Sequence, residues 1–179
     1  METISCSIGG EAVTIRPAGR MEDTMQAFAV RAACFIGEQE VPYSEEFDGQ
    51  DFGATHLVAY LGTEPVGALR IRWFQSFAMP ERLAVMQRFR GHNVAQLLLE
   101  RSRTLAESRG CNILYTRVSP TQATYFEKLG WRRLDDAEGA RATVALVRPV
   151  DPAQSRAELD ITDAIALSAQ YRHDIPAAA

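Results

Sequence analysis

A chain of 179 residues, 46% hydrophobic and 23% charged, has the size and composition of one globular domain that buries a core without disulfide or metal staples. Its 23 acidic residues outnumber 19 basic ones, for a net charge of −4, and no basic block or basic–aromatic stripe marks a nucleic-acid partner. No apolar run approaches the roughly 18 residues of a membrane span, and the N-terminus lacks the basic-then-apolar order of a secretory leader. Cys6, Cys34 and Cys111 are scattered, with no CxxC pair. They read as reduced thiols of a cytoplasmic protein, with no metal site among them.

Glu11 to Pro17 alternates polar and apolar residues and predicts a first strand. Arg20 to Phe35 carries Met21, Met25, Phe28, Ala29, Ala32 and Ala33 at helical spacing, an amphipathic helix. The polar stretch Ile36 to Thr55, with Pro42, Gly49 and Gly53, predicts a loop or short helix. His56 to Leu61 and Pro65 to Trp73 predict two strands joined at Gly62-Thr63-Glu64 as a hairpin. Phe77 to Phe89 reads as one long strand that bends or bulges near Pro80. Val94 to Arg109 predicts a central helix with an apolar face of Val94, Leu97, Leu98 and Leu105, ended by Gly110. Asn112 to Val118 follows as a strand, and Pro120 opens a short helix that closes at Leu129-Gly130. Trp131 to Leu134 and Ala142 to Arg148 complete the set as a closing pair of strands. This order suits one α/β sheet with antiparallel and parallel parts.

Between the long strand and the central helix lies Arg90-Gly91-His92-Asn93-Val94-Ala95. A turn that opens a helix is an anion site, because the first amides lack intrahelical partners and the dipole puts partial positive charge there. Small residues at Gly91 and Ala95 let a phosphate approach the backbone closely. The stretch resembles motif A of the Gcn5-related N-acetyltransferases, whose Arg/Gln-x-x-Gly-x-Gly/Ala amides hold the pyrophosphate of acetyl-CoA. Asn93 replaces the central glycine, and Asn tolerates left-handed dihedrals. Two further segments match in order: Tyr125-Phe126-Glu127-Lys128-Leu129-Gly130-Trp131 resembles the family's FYEKLGF segment, and Leu83-Ala84-Val85 resembles the strand beside the pantetheine arm.

The resemblance runs from about Ala12 to Pro149, so residues 1–150 are expected to form the acyl-CoA N-acyltransferase domain. It implies a mixed, mostly antiparallel sheet with a parallel pair at the cofactor cleft, flanked by helices. Residues 151–179 form a separate extension. Ser155 to Tyr171 reads as a helix, packed on its own domain, or serving as a homodimer contact or a substrate lid.

What the resemblance implies for chemistry is the transfer of acetyl from acetyl-CoA to the amine of a small acceptor by direct attack. Amides of Arg90, Gly91, His92, Asn93, Val94, Ala95 and Gln96 would hold the cofactor. Leu83 and Ala84 would pair with pantetheine as a further strand, and the Val85 amide would face the thioester oxygen. The position of the family's proton-donating tyrosine is occupied by Phe126, expected beside the cofactor; Tyr125 could replace the acid only if the helix is displaced by a residue, since one step turns it about 100°. A thiol with a pKa of about 8.5 also leaves tolerably unaided. Glu81 is the carboxylate placed to act as base.

Arg31 to Asp51 has its own pattern, R-x-x-x-F-x-x-E-Q-x-V-P, which resembles a branch of predicted bacterial acetyltransferases. Arg31, Phe35, Glu46, Asp48, Asp51 and Arg70 also resemble an arrangement in acyl-homoserine-lactone synthases, so longer acyl donors are an alternative, as is a silent acyl-CoA-binding module without the tyrosine. Arg31, Glu38, Asp48 and His56 are the expected acceptor contacts, with carboxylates attracting a cationic amine. An Arg31–carboxylate pair reads equally as a structural clamp.

Overall fold

The computed structural model describes residues 6–134 and 143–151. The C-terminal extension expected from residue 151 onward, including its helix, lies outside these residues apart from Asp151.

The described strands form one sheet in the order β1-β2-β3-β4-β5-β6-β8-β7. They are β1 (Ser7–Ile8), β2 (Glu11–Pro17), β3 (Thr55–Leu61), β4 (Glu64–Trp73), β5 (Phe77–Val85), β6 (Ile113–Val118), β7 (Arg132–Arg133) and β8 (Val144–Pro149). Every pairing is antiparallel except β5 with β6. That is the expected mixed sheet with its parallel pair. The helices are α1 (Met21–Arg31), the short α2 (Tyr43–Glu46), α3 (Val94–Ser108) and α4 (Pro120–Lys128).

Alternation along β3 and β4 sorts the core into two layers. Leu57, Ala59, Leu69 and Ile71 pack with Val94, Leu98 and Leu99 of α3 on one face. Val58, Tyr60 and Ala68 pack with Ala27, Val30 and Cys34 on the other. Gly67 lets α3 approach β4: a Cβ there would stand 3.1 Å from Val94 Cγ1 and 3.2 Å from the Ala84 carbonyl oxygen. At α4, Ser119 and Gln122 cap each other's backbone and Pro120 occupies the first turn, where its missing N–H costs nothing.

Two expected elements change shape. The helix from Arg20 does not run to Phe35 as α-helix. It is α-helical to Arg31 and then a π-helix over Ala32–Glu38. The long strand does not reach Phe89. β5 ends at Val85 and Gln87–Phe89 is a 3₁₀ turn. Its irregularity is not at Pro80, which pairs regularly with Ile71; the register shifts where Leu69 of β4 opposes both Arg82 and Leu83 of β5, and Arg82 takes a φ of 52°.

Candidate active site

β5 and β6 pair at only two rungs, Phe77↔Ile113 and Ala78↔Leu114. Beyond Ala78 the strands part. The Thr116 hydroxyl crosses the gap and donates to the Pro80 carbonyl at 2.7 Å. A V-shaped cleft therefore opens along the rest of β5.

The register fixes what β5 presents to that cleft. The Met86 amide donates to the Val66 carbonyl at 3.0 Å, and Gly67↔Val85 is the next rung. Hydrogen-bonded and non-bonded rungs alternate in an antiparallel ladder, so Val85 turns its N–H and carbonyl away from β4, toward the cleft. The Val85 carbonyl already accepts from Arg90 Nε at 2.9 Å. The same alternation turns the amide and carbonyl of Ala84 toward Ala68. Ala84 is thus committed to β4 and does not offer a free strand edge to a pantetheine arm. Leu83 sits in the bulged stretch and packs its side chain on the core.

At the mouth of the cleft the chain turns into α3. Gly91 has φ 84° and Asn93 has φ 62°, both left-handed. Nothing lies within 4 Å of where a Gly91 Cβ would stand, so the glycine is there for its dihedral and leaves open space. The Asn93 side chain makes no capping bond, and the first helical bond runs from the Leu97 amide to the Asn93 carbonyl at 3.0 Å. The amides of Val94, Ala95 and Gln96 have no partner within the helix. Val85, Phe89, Arg90, Gly91, Asn93, Val94, Ala95 and Tyr125 line a hollow of about 180 Å³ over these amides. His92 is exposed beside it, and its carbonyl accepts from the buried Cys6 thiol.

Phe126, expected beside the cofactor, is buried instead, and the candidate acid Tyr125 faces the hollow without any displacement of the helix being needed to explain it. Phe126 is 5% exposed and stacks edge-on against Trp131 in the core, so it does not line the cleft. Tyr125 lines it, at 41% exposure. Partial burial pushes the Tyr125 phenol upward from its ordinary range. It stays protonated at neutral pH and can donate.

On the α1 face lies a network of ion pairs. Arg31 is fully buried; its Nε meets Glu46 at 2.6 Å and its Nη1 meets Asp51 at 2.6 Å. Arg70, also fully buried, makes a forked pair with Asp48, both contacts at 2.7 Å, and reaches Asp51 at 3.2 Å and Glu81 at 3.0 Å. Glu81 Oε1 is shared with Arg72 Nε, and its Oε2 accepts from Arg72 Nη2 at 3.2 Å. Arg82, at the bulge, spans Glu46 and Asp48, each at 3.3 Å. Burial raises the Asp48 carboxyl, but the hydrogen bonds and charge of Arg70 outweigh it and bring it down to about 2.

These contacts redraw the expected acceptor set. Arg31 is sealed between Glu46 and Asp51, the clamp reading of its sequence pattern. His56 is buried, edge-on to Phe28, with Nε2 3.2 Å from the Asp51 carbonyl. Arg31 has no exposed surface for an acceptor, whereas His56 keeps a small one. Asp48 remains partly open, and Glu38 pairs instead with Arg90 of the turn. Glu81, expected as the base, has both oxygens engaged by guanidinium donors. Arg72 and Arg82 escaped the sequence reading, because only the bulge brings Arg82 to Asp48. A second hollow, of about 650 Å³, lies between α1 and α2, with Phe28, Phe47 and Phe52 in its wall and His56 and Asp51 on its network side.

Known proteins resemble this chain in sequence and in fold. Residues 52–133 match the family model described as Acetyltransferase (GNAT) domain. The uncharacterised N-acetyltransferase YjcF of Bacillus subtilis strain 168 is 30% identical over 117 residues, covering 65% of this chain and 84% of YjcF. Among solved structures, an acyl-CoA N-acyltransferase from Pseudomonas aeruginosa superposes with a TM-score of 0.67 at 18% identity, over 76% of this chain and 99% of its own. A GNAT family acetyltransferase from Elizabethkingia anophelis, solved with acetyl-CoA bound, superposes with a TM-score of 0.60 at 16% identity, over 76% of this chain and 97% of its own. With the parted parallel strands and the left-handed turn at the head of α3, this likeness in sequence and fold makes the chain a member of the GNAT acetyltransferase family.

Proposed function

We propose that this protein is an acetyl-CoA-dependent N-acetyltransferase that acts on a small amine by direct attack. The observation that carries the reading is the Val85 backbone, turned into the cleft one strand-end away from the unpartnered amides of α3. The residues present fit the cofactor. The open space over Gly91 admits a phosphate to the amides of Val94, Ala95 and Gln96. Bound acetyl-CoA supplies the activated acetyl thioester. The Val85 amide is placed to polarise a carbonyl oxygen, a fixed donor aimed where negative charge develops. Tyr125 holds a proton at its hydroxyl in the wall of the same hollow, where a departing sulfur needs one.

Glu81 serves this chemistry as an orienting carboxylate. Its oxygens are held by Arg70 and Arg72, and Oε2 retains a lone pair for the acceptor amine or a water. No cysteine, serine or threonine lines the hollow over the α3 amides among the described residues, and the Tyr125 phenol there stays protonated, which supports attack by the amine itself on the thioester.

The test is purified protein with acetyl-CoA and a panel of small amines, reading released free thiol, with CoA binding followed separately by calorimetry. The expected outcome is CoA binding, thiol release with at least one amine, and no acetylated protein by mass spectrometry. Binding without release across the panel would leave an acyl-CoA-binding module. Release only from longer acyl-CoA donors would move the protein toward signal-type acyl transfer.

A further inference from the structure

Arg90, first residue of the phosphate turn, has two partners that are not ligands. Its Nε donates to the Val85 carbonyl at 2.9 Å, and its Nη2 is ion-paired with the Glu38 carboxylate. Glu38 is the last residue of the π-helix, 52 positions away in sequence. A carboxylate is unfavourable company for an anion site, because it repels the phosphates that site attracts. Yet here it is delivered to the mouth of the cleft by a π-helix, a form that is rare and tends to mark functional places. The other end of that π-helix adjoins Arg31, locked in the buried network by Glu46 and Asp51. Glu38 is therefore presented from a fixed base. Cys34, one turn back on the same element, is buried against the same pair: burial and the Glu38 charge raise its thiol, while Arg90 draws it down.

We infer that Glu38 is an internal stand-in for cofactor phosphate, holding Arg90 at the mouth of the cleft until the diphosphate displaces it. The inference rests on the cofactor reading above and adds a residue outside the turn that sets its affinity. Binding exchanges one ion pair for another. The protein gives up Glu38–Arg90 and gains Arg90–phosphate, and the freed carboxylate still faces the incoming charge. Glu38 thus opposes binding, although it lies beside the cofactor. Its sequence position among acceptor-side residues gives no hint of this.

The exchange has a distinct thermodynamic signature. Both side chains of the pair are partly exposed, and such pairs are worth about 0.2–1 kcal/mol. Removing Glu38 then tightens CoA by about 1.4- to fivefold at low salt, and the gain shrinks as salt screens the pair. Pantetheine, which shares the arm but lacks the diphosphate, shows no gain.

The experiment is isothermal titration of the full chain with CoA and with pantetheine, for wild type, Glu38→Gln, Arg90→Gln and the double variant. The expected pattern is tighter CoA for Glu38→Gln, weaker CoA for Arg90→Gln, and no gain from Glu38→Gln in the Arg90→Gln background. Unchanged or weaker CoA binding by Glu38→Gln, with a melting temperature like wild type, overturns the inference. So does an equal gain for pantetheine. A melting temperature well below wild type in Glu38→Gln assigns the pair to structural bracing and overturns it as well. Wild-type protein that binds no CoA at all sinks the cofactor reading itself, a result separable from these.

Discussion

Tyr125 and Phe126 are neighbours in the chain and part company in the structure: one lines the cleft, the other supports Trp131. The rotation of about 100° between adjacent helical residues makes this all-or-none, and no periodicity in a nine-residue helix says which of two aromatics faces out. If Tyr125 donates the proton to the departing thiolate, Tyr125→Phe lowers kcat by about ten- to a hundredfold, the low end for a general acid because a thiol is already a fair leaving group. KM for acetyl-CoA stays close to wild type, and steady-state kinetics across pH show the alkaline limb of kcat displaced. An unchanged kcat would mean that the thiolate leaves unaided. Glu81 gives the contrasting case. As an orienting carboxylate, its replacement in Glu81→Gln raises the acceptor KM about tenfold, the scale of one charge-assisted hydrogen bond, with the shape of the pH–rate profile retained. A lost acidic limb would restore Glu81 as the base.

At the scale of elements, the strands and the long helix were legible because their signals are periodic and local. The β3–β4 hairpin has its strands within a residue or so of the expected bounds, and α3 begins at Val94 as its apolar face requires. What stayed hidden depends on partners far away in sequence. The π-helix conforms to helical spacing as well as an α-helix does, until Glu38 has to reach Arg90. The bulge at Arg82 is set by register against β4, which no run of residues within β5 discloses. The acidic stretch 45–51 reads as a solvated loop until Arg31, Arg70 and Arg82 fold under it. The turn before α3 is recognisable because its resemblance rests on small residues at fixed spacing; the acceptor-side pattern is recognisable only as a pattern, and its contacts are mutual neutralisation. Packing at Gly67 offers a test of how closely α3 must sit on the sheet. Gly67→Ala inserts a methyl 3.1 Å from Val94 Cγ1, against a backbone oxygen on the other side. The expected cost is about 1–3 kcal/mol, with α3 pushed outward at its N-terminus. Thermal unfolding should show the loss, and CoA titration a weaker Kd in the protein that still folds. A melting temperature and Kd equal to wild type would show that α3 tolerates the shift.

For the whole molecule, the network joins α1, α2, β4 and β5 into one electrostatic unit. Breaking a buried ion pair by removing one partner costs about 3–5 kcal/mol, because a charge is left without compensation. The unit makes stability depend on pH in two stages with a common sign. His56 is buried beside Arg31, Arg70 and Asp51; burial comes first among the causes that lower it from 6.5, the nearby arginine charge adds to it, and the Asp51 carbonyl bond opposes it only in part. The unfolded chain therefore takes up a proton near pH 6.5 that the folded protein refuses until lower pH. Folding stability contributed by neutral His56 is present above 6.5 and declines as the pH falls below it. Asp48 adds the second stage. Its folded value of about 2 lies below the unfolded 3.8, so its contribution is intact above pH 4 and drains away between there and 2. Asp51, lowered by Arg31 and Arg70 in spite of its burial, acts in the same direction. Urea unfolding followed from pH 8 to pH 3 should show a first decline beginning near 6.5 and a steeper one below 4. In His56→Gln, a neutral side chain that can keep the bond to the Asp51 carbonyl, the first decline disappears while the second remains. If the variant retains the decline near 6.5, some other group carries it, and His56 is not the titrating element of this network.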